Sequence, residues 1–586
     1  MAESTNSGGG PEQPRKEMSM EIRLLLAFLL MGAVMFLTPY FFPKSTAPPA
    51  AKKTQATQTA PASQPPPAPE ANPPEPAAVE KKKKVTKAAS AAPGPPATPQ
   101  NTLPPLLVDT DLFRVVFSNQ GATVRSWQLK KYKGNDKKPL ELTNTAAGME
   151  YPFSLYLPGQ EAIAKTINWA YYQQAIDPDG LGVTYTFTDG HVTVRKVFRF
   201  QKNSYISKVS TAVTMDGTPI PNMIQWRGGF GDLTVSNPAG DQRTLYFNVA
   251  ENKLVEQTAS AAKNGPVSST GNYSFAGLSD KYFAAVFLPE GNAAVQETTF
   301  SNNAKTVFQE KELPFAGVAV SDGLENKFEL FVGPKDLDLL GKINPKLSQL
   351  VNFGSWIGFL AKPLFLITNW FNDAFVHSFG WSIVLVTIAL NMILFPIKLS
   401  NMKSMRKMQA LKPQIDAINQ KYKNISLRDP RKAEQNQEVM ELYKKNGVNP
   451  MGGCFPMLLQ IPFFFAFYKV FTISVEMRGT SWLWVTDLSQ AETLPIHILP
   501  VIMIASQFFM QKMTPQPQGD PSQQKIMMFM PLIFGFMFYN FPSGLVLYYL
   551  TSNLVSMGQQ WFFNHTATAE EAARSVEAPK KKDGRK

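Results

Sequence analysis

From residue 381 onward the chain is a series of apolar blocks, roughly 381–397, 454–471, 494–510, 526–541 and 544–563. Each approaches the ~20 apolar residues with which an α-helix crosses about 30 Å of hydrocarbon. In that medium every backbone N–H and C=O needs a partner inside its own helix, so such blocks commit the chain to a helical membrane fold. Only Pro542-Ser543-Gly544 separates the last two, which makes them a helical hairpin. A sixth block, 22–42, follows Arg15 and Lys16 and contains Arg23 near its start. It lacks a good small-x-small cleavage site, because Pro48 follows the best one at Ser45-Thr46-Ala47. It is therefore expected to be an uncleaved anchor with its N-terminus inside.

The formal charge of +13 fits nucleic-acid binding, or cytoplasmic loops that obey the positive-inside rule. Its distribution decides between them. Segment 398–449 carries Lys398, Lys403, Arg406, Lys407, Lys412, Lys421, Lys423, Arg428, Arg431, Lys432, Lys444 and Lys445 against Asp416, Asp429, Glu434, Glu438 and Glu441. The loop after the block at 454–471 has Arg478 against Glu476, Asp487 and Glu492, and the C-terminus ends in Lys580, Lys581, Lys582, Arg585 and Lys586. Six spans with both termini inside satisfy every short loop, and the charge then needs no nucleic acid.

Hydrophobic residues make up 44% of the 586, yet the mean hydropathy is −0.15, so long polar parts dilute the spans. Residues 43–102 are a Pro-, Ala- and Lys-rich tether that cannot bury a core. Across 103–345, runs such as Val115-Val116-Phe117, Val124–Leu129 and Val192–Phe200 alternate or cluster as strands do. Gly121, Asn135, Asp177–Gly180 and Asp189-Gly190 punctuate them as turns. Many strands without helical runs predict a large β-sandwich. With Cys454 the one cysteine, no intrachain disulfide or Cys-based zinc site is available to it.

Residues 346–378 are apolar and aromatic but interrupted at Lys362-Pro363 and Asn372-Asp373, which predicts a helix lying in the interface. Segment 398–449 predicts two helices, Met402 to about Lys423 and Arg431 to about Asn446, broken at Asp429-Pro430. Met402, Met405, Met408 and Leu411 recur at i+3 spacing. They suit an adaptable surface for apolar segments, or a stripe buried against the partner helix.

No Walker motif, HExxH or Rossmann glycine pattern is present. His191, His377, His497 and His565 lie far apart in sequence, and His565 sits about 30 Å along the same span from Ser543, too far to activate it. The central turns of the spans carry no Asp, Glu, Lys or Arg, which argues against an ion-coupled transporter. They carry neutral polarity instead: Thr387 and Asn391, Gln460, then Tyr549, Ser552, Asn553, Ser556 and Gln560, whose spacings of 3, 4 and 7 place these last five on one face. Such residues glue helices together, or they line a polar path.

Asn449-Pro450-Met451-Gly452-Gly453-Cys454-Phe455-Pro456, Gln460-Ile461-Pro462-Phe463-Phe464, Gln511-Lys512-Met513, Gln523–Met527, Phe529-Met530-Pro531 and Phe541–Tyr549 followed by Ser552-Asn553-Leu554 closely resemble the signature of the YidC family of membrane insertases. Ser279–Ala284 and Val332–Lys335 extend the resemblance over the β region, as in the Gram-negative form. The resemblance implies five core spans around a polar groove, open to cytoplasm and lipid, through which membrane proteins are inserted without a nucleotide or other cofactor. Thr387 matches the family's groove threonine, and Phe464 and Tyr549 match its substrate-contacting positions. The family's groove arginine falls at Asn391, so a fixed cation is missing there. Lys398, two turns on, either reaches up the groove in its place or snorkels at the interface.

The expected plan is a cytoplasmic N-terminus at 1–21, an anchor at 22–42, a linker at 43–102 and a periplasmic β-sandwich at 103–345. An interfacial region at 346–378, a five-helix core at 379–565 with a cytoplasmic hairpin at 399–448, and a basic cytoplasmic tail at 566–586 follow. The expected partners are nascent membrane proteins, the Sec translocon, the ribosome and signal-recognition pathway, and membrane lipid. Nucleic-acid contact is expected only through the ribosome. Two other classes compete: a polytopic transporter or channel, and a scaffold that acts through its β domain. Solute flux in proteoliposomes discriminates the first, and insertion that survives deletion of 103–345 discriminates the second.

Overall fold

A computed structural model describes residues 103–577 apart from 145–149, 236, 292–293, 307, 355, 424–430, 448–454 and 514–520. Side chains at 309–310, 432–433, 455–457, 521–528, 530 and 567–577 are likewise outside the description. The expected anchor and linker, the Asp429-Pro430 break, residues 449–454 of the signature and the end of the basic tail lie outside the described residues.

The alternation of Val192–Arg199 becomes a strand whose Val192, Val194, Lys196 and Phe198 point inward. It lies in a ten-stranded antiparallel sheet that runs from Lys253–Gln257 at one edge to Gln173–Ile176 at the other. A five-stranded sheet includes Val295–Thr306, Gln309–Ser321 and Met223–Trp226, and a four-stranded one includes Phe113–Ser118 and Thr123–Lys133. One aromatic core joins all three. Trp127 lies 6.2 Å from Trp226, and Phe117 lies 4.9 Å from Phe198, between ring centroids. Burying such rings removes 150–250 Å² each from water, which stabilises the domain without a cross-link. The expectation of strands without helices across 103–345 needs correction, first at Glu161–Trp169 and again at Leu337–Ile343. Glu161–Trp169 forms a helix, α1, because Ala164 and Ile167 recur at i+3 and together bury one face against the sheets.

Beyond the sheets come α2 (Leu337–Ile343), capped by Asp336 accepting from the Leu339 amide at 2.8 Å, and α3 (Gly358–Phe371). The expected break at Lys362-Pro363 does not occur, and α3 runs through it. The chain turns instead at 372–378, where His377 takes a left-handed φ of 47°. The next helices are α4 (Phe379–Ile393), α5 (Phe395–Ala410), α6 (Lys412–Lys421) and α7 (Arg431–Lys445). The hairpin's first helix therefore starts at Phe395 rather than Met402 and breaks at Leu411, just before Pro413. Met405, Met408, Leu411 and Ile415 bury a stripe against Tyr443 of α7, the intramolecular role of the two expected. The last four helices are α8 (Phe455–Ile473), α9 (Ile498–Met513), α10 (Pro521–Phe538) and α11 (Ser543–Glu577).

Among the described residues no single helix is both long and apolar enough to cross a membrane. The pair Gly358–Val376 and Phe379–Ile393, bent by 115°, qualifies together. The polar residues of α11, among them Thr551, Ser552, Asn553, Ser556, Gln559 and Gln560, lower the hydropathy of the longest helix.

Candidate functional site

α4, α8 and α11 bring their neutral polar residues together. Thr387 is fully buried, its hydroxyl donating to the Ile383 carbonyl of its own helix at 2.6 Å, while Asn391 one turn on donates to the Thr387 carbonyl at 2.8 Å. Such back-bonding settles a hydroxyl or amide that lacks water. The Asn391 side-chain oxygen faces outward from α4 and accepts twice, from Lys398 Nζ at 2.5 Å and from Ser552 Oγ at 3.3 Å. Lys398 also donates to Ser556 Oγ at 3.0 Å, and Gln460 of α8 donates to Ser552 Oγ at 3.3 Å. The ammonium therefore reaches back along the helix pair into the bundle. Its stem is half-buried.

Phe464 and Tyr549 meet through Phe538 of α10, at ring-centroid distances of 5.6 and 4.9 Å. They form an aromatic floor beside the polar cluster rather than part of it. The single-face reading of α11 needs correction. Ser552 faces Asn391 of α4 and Ser556 faces Lys398 of α5, but Asn553 donates to Ser506 of α9 at 3.0 Å, and Gln560 donates along its own helix to Asn564 at 3.0 Å. Positions 552 and 553 lie about 100° apart around an α-helix, enough to face different neighbours in a bundle. Gln559 was missed. Its amide donates to the Asn391 carbonyl at 3.2 Å, and the 552, 556, 559 spacing of 4 and 3 is the seam that would have found it. Ser506, a lone small polar residue in an apolar helix, was missed too.

Ser543 gives its hydroxyl to the Gln490 carbonyl at 2.9 Å, and His565 lies against its own helix at the Trp561 carbonyl, 3.3 Å away. The turn thus holds its serine as structure.

Residues 370–571 match the family described as 60Kd inner membrane protein, and residues 106–367 match the YidC periplasmic domain. A membrane protein insertase YidC of Syntrophus aciditrophicus (strain SB) is 32% identical over 571 residues, covering 94% of this chain and 100% of that protein. The chain belongs to the YidC family of membrane protein insertases. A second YidC, from Geotalea daltonii, is 32% identical over 583 residues and covers 94% of this chain and 100% of its own. A crystal structure of an active YidC insertase with its first transmembrane domain resolved aligns at 20% identity over 78% of this chain and 93% of that one, with a TM-score of 0.35. Membership makes this an inner-membrane protein with a periplasmic β-sheet domain and a helical core, an insertase of membrane proteins and not an enzyme.

Proposed function

We propose that this YidC inserts its substrates along the cluster formed by Thr387, Asn391, Lys398, Gln460, Ser552 and Ser556, with Phe464 and Tyr549 flanking the substrate's apolar segment and Asn553 fixing α11 to α9. The observation that carries the reading is the Lys398 ammonium drawn into the bundle by Asn391 and Ser556. An unpaired backbone group in hydrocarbon costs several kcal/mol, and a short polar surface removes part of that cost for a translocating segment. The substrate's own apolar segment then leaves sideways into lipid, driven by its burial. Six spans, cytoplasmic termini and a periplasmic β-sandwich accompany this mechanism. Delivery comes from the ribosome and signal-recognition pathway, and the Sec translocon is a partner for some substrates.

A photo-crosslinking probe at Tyr549 tests the reading against a stalled nascent membrane protein. Crosslinks are expected to appear as the nascent apolar segment leaves the ribosome. Their absence from Tyr549, Thr387 and Phe464 together would reduce the polar cluster to helix packing.

The cation itself makes a narrower prediction. Lys398→Ala is expected to slow insertion of substrates with acidic translocated tails several-fold while changing neutral ones little, because only the former gain from a positive charge at this level. Equal slowing of both, measured with one reporter carrying either tail, would assign Lys398 to snorkelling.

A further inference from the structure

The sequence motifs Ser279–Ala284 and Val332–Lys335 take no part in the polar cluster, but they lie side by side. Phe283 pairs with Pro334 and Ala284 with Gly333 in the large sheet. Asp280, buried, accepts from the amides of Tyr282 at 2.8 Å, Phe283 at 2.6 Å and Asp232 at 2.7 Å, and its own carbonyl accepts from Lys335 Nζ at 2.6 Å. Gly231, at a φ of +93°, leaves the room this needs, since a Cβ there would stand 2.1 Å from the Asp280 carboxylate.

The purpose of this scaffold is visible at Asp232. One of its oxygens accepts from Thr234 at 2.9 Å (amide) and 2.6 Å (hydroxyl), and the other meets the guanidinium of Arg478. Both side chains are almost completely buried, at 5% and 1% exposure, and the guanidinium sits 5.7 and 5.5 Å from the ring centroids of Tyr282 and Phe283. Arg478 belongs to the outer loop between α8 and α9, where it is the sole Lys or Arg in 474–497. That loop also touches the outer ends of the core helices. Its Leu488 and Gln490 carbonyls accept from the Gly544 and Ser543 amides at 2.9 and 2.7 Å, at the first turn of α11. Its Trp482 fills the space above Gly380 at the start of α4, where a Cβ would stand 2.1 Å from the indole.

We propose that Arg478 is a positioning residue that latches the periplasmic domain to loop 474–497 and, through that loop, fixes the outer ends of α4 and α11. A desolvated ion pair has this capacity because its geometry is unforgiving: a partner left unpaired in a buried site is costly, so the two bodies stay in one register. The consequence for insertion rests on the α4–α11 cluster as the substrate path, whereas the latch does not.

The test uses the full-length protein in proteoliposomes, with Cys454, its one cysteine, replaced and spin labels at the exposed Trp169 of α1 and Phe536 of α10. One narrow distance is expected. Arg478→Met from the core side and Gly231→Ala from the domain side are each expected to broaden it and to slow insertion several-fold. Arg478→Lys, which keeps the charge, is expected to restore most of both. Distances that stay narrow in both variants overturn the latch, whatever insertion does. Broadened distances with unchanged insertion overturn the link to the core helices. Broadened distances together with lost Tyr549 crosslinks support both the latch and the substrate path.

Discussion

Asn391→Leu is expected to slow insertion more than tenfold, for neutral and acidic substrates alike. The side-chain oxygen of Asn391 serves Lys398 at 2.5 Å and Ser552 at 3.3 Å at once. Leucine fills the same volume and offers neither acceptor. Lys398 then keeps its hydrogen bond to Ser556 and Ser552 loses its acceptor. A lost hydrogen bond to a charged group costs about 1.5–3 kcal/mol, which is roughly 10–150-fold if it is carried into the insertion barrier. Lys398→Ala differs in kind, because it removes the charge together with its need for partners. Asn391→Asp separates the two effects. A carboxylate holds the ammonium at least as well, so the helices stay packed, but it neutralises the site, and the preference for acidic tails is expected to vanish. Initial insertion rates of one single-span reporter, with acidic and neutral tails, compare the three variants. Asn391→Leu rates within twofold of the parent would mean that the cluster only packs helices.

How much of this was legible in the sequence follows from the range of the forces involved. Strands such as Val192–Arg199 announce themselves, since alternation is a local property. So do the chemistry of Thr387 and Asn391 and the absence of a cation at 391. The position of the Lys398 head group needed only helical geometry, two turns along nearly continuous helices, and its ammonium lies 2.5 Å from the Asn391 side-chain oxygen. The division of the α11 stripe was hidden, because which neighbour each polar residue faces depends on where α4 and α9 stand, and periodicity on one helix does not encode that. The run of α3 through Pro363 was hidden for a related reason: burial of Ala361, Leu364, Phe365 and Thr368 outweighs the lost hydrogen bond. Arg478 was the least visible. In the sequence it is one cation in an acidic outer loop, and its partner Asp232 lies 246 residues away in another domain.

Lys196 predicts a large pH effect in the periplasmic domain. Period-2 alternation places it on the core side of its strand, where it is fully buried. Its amine donates to the Gly121 carbonyl at 2.6 Å and the Phe153 carbonyl at 2.7 Å, both residues at positive φ. A third, longer contact runs to the Ala122 carbonyl at 3.5 Å. Burial pushes the Lys196 amine down from 10.5 to about 7. Between about pH 7 and 10.5 the unfolded chain therefore binds a proton that the native domain does not, so stability rises with pH through this window. Glu297 acts in the adjoining range. Burial pushes its carboxyl up from 4.5 to about 7, so the native domain holds the extra proton and stability falls as pH rises from about 4.5 to 7. Through these two groups the domain passes a stability minimum near neutrality. Lys196→Met removes the upper window and leaves the Gly121 and Phe153 carbonyls unpaired, at about 1–3 kcal/mol each. Its deficit against the parent is expected to grow from pH 7 to 10 by a few kcal/mol, up to the roughly 1.4 kcal/mol per pH unit that one proton allows. Glu297→Gln is expected to make the lower window shallower, leaving the part due to Asp322, whose carboxyl burial pushes up to about 6, and to leave the upper window unchanged. Denaturant midpoints of the β domain's unfolding transition in the full-length protein, taken from pH 5 to 10, measure both slopes. A Lys196→Met deficit that stays constant with pH would mean that the native amine keeps its proton, held by the carbonyls and by the Tyr172 ring 5.5 Å away.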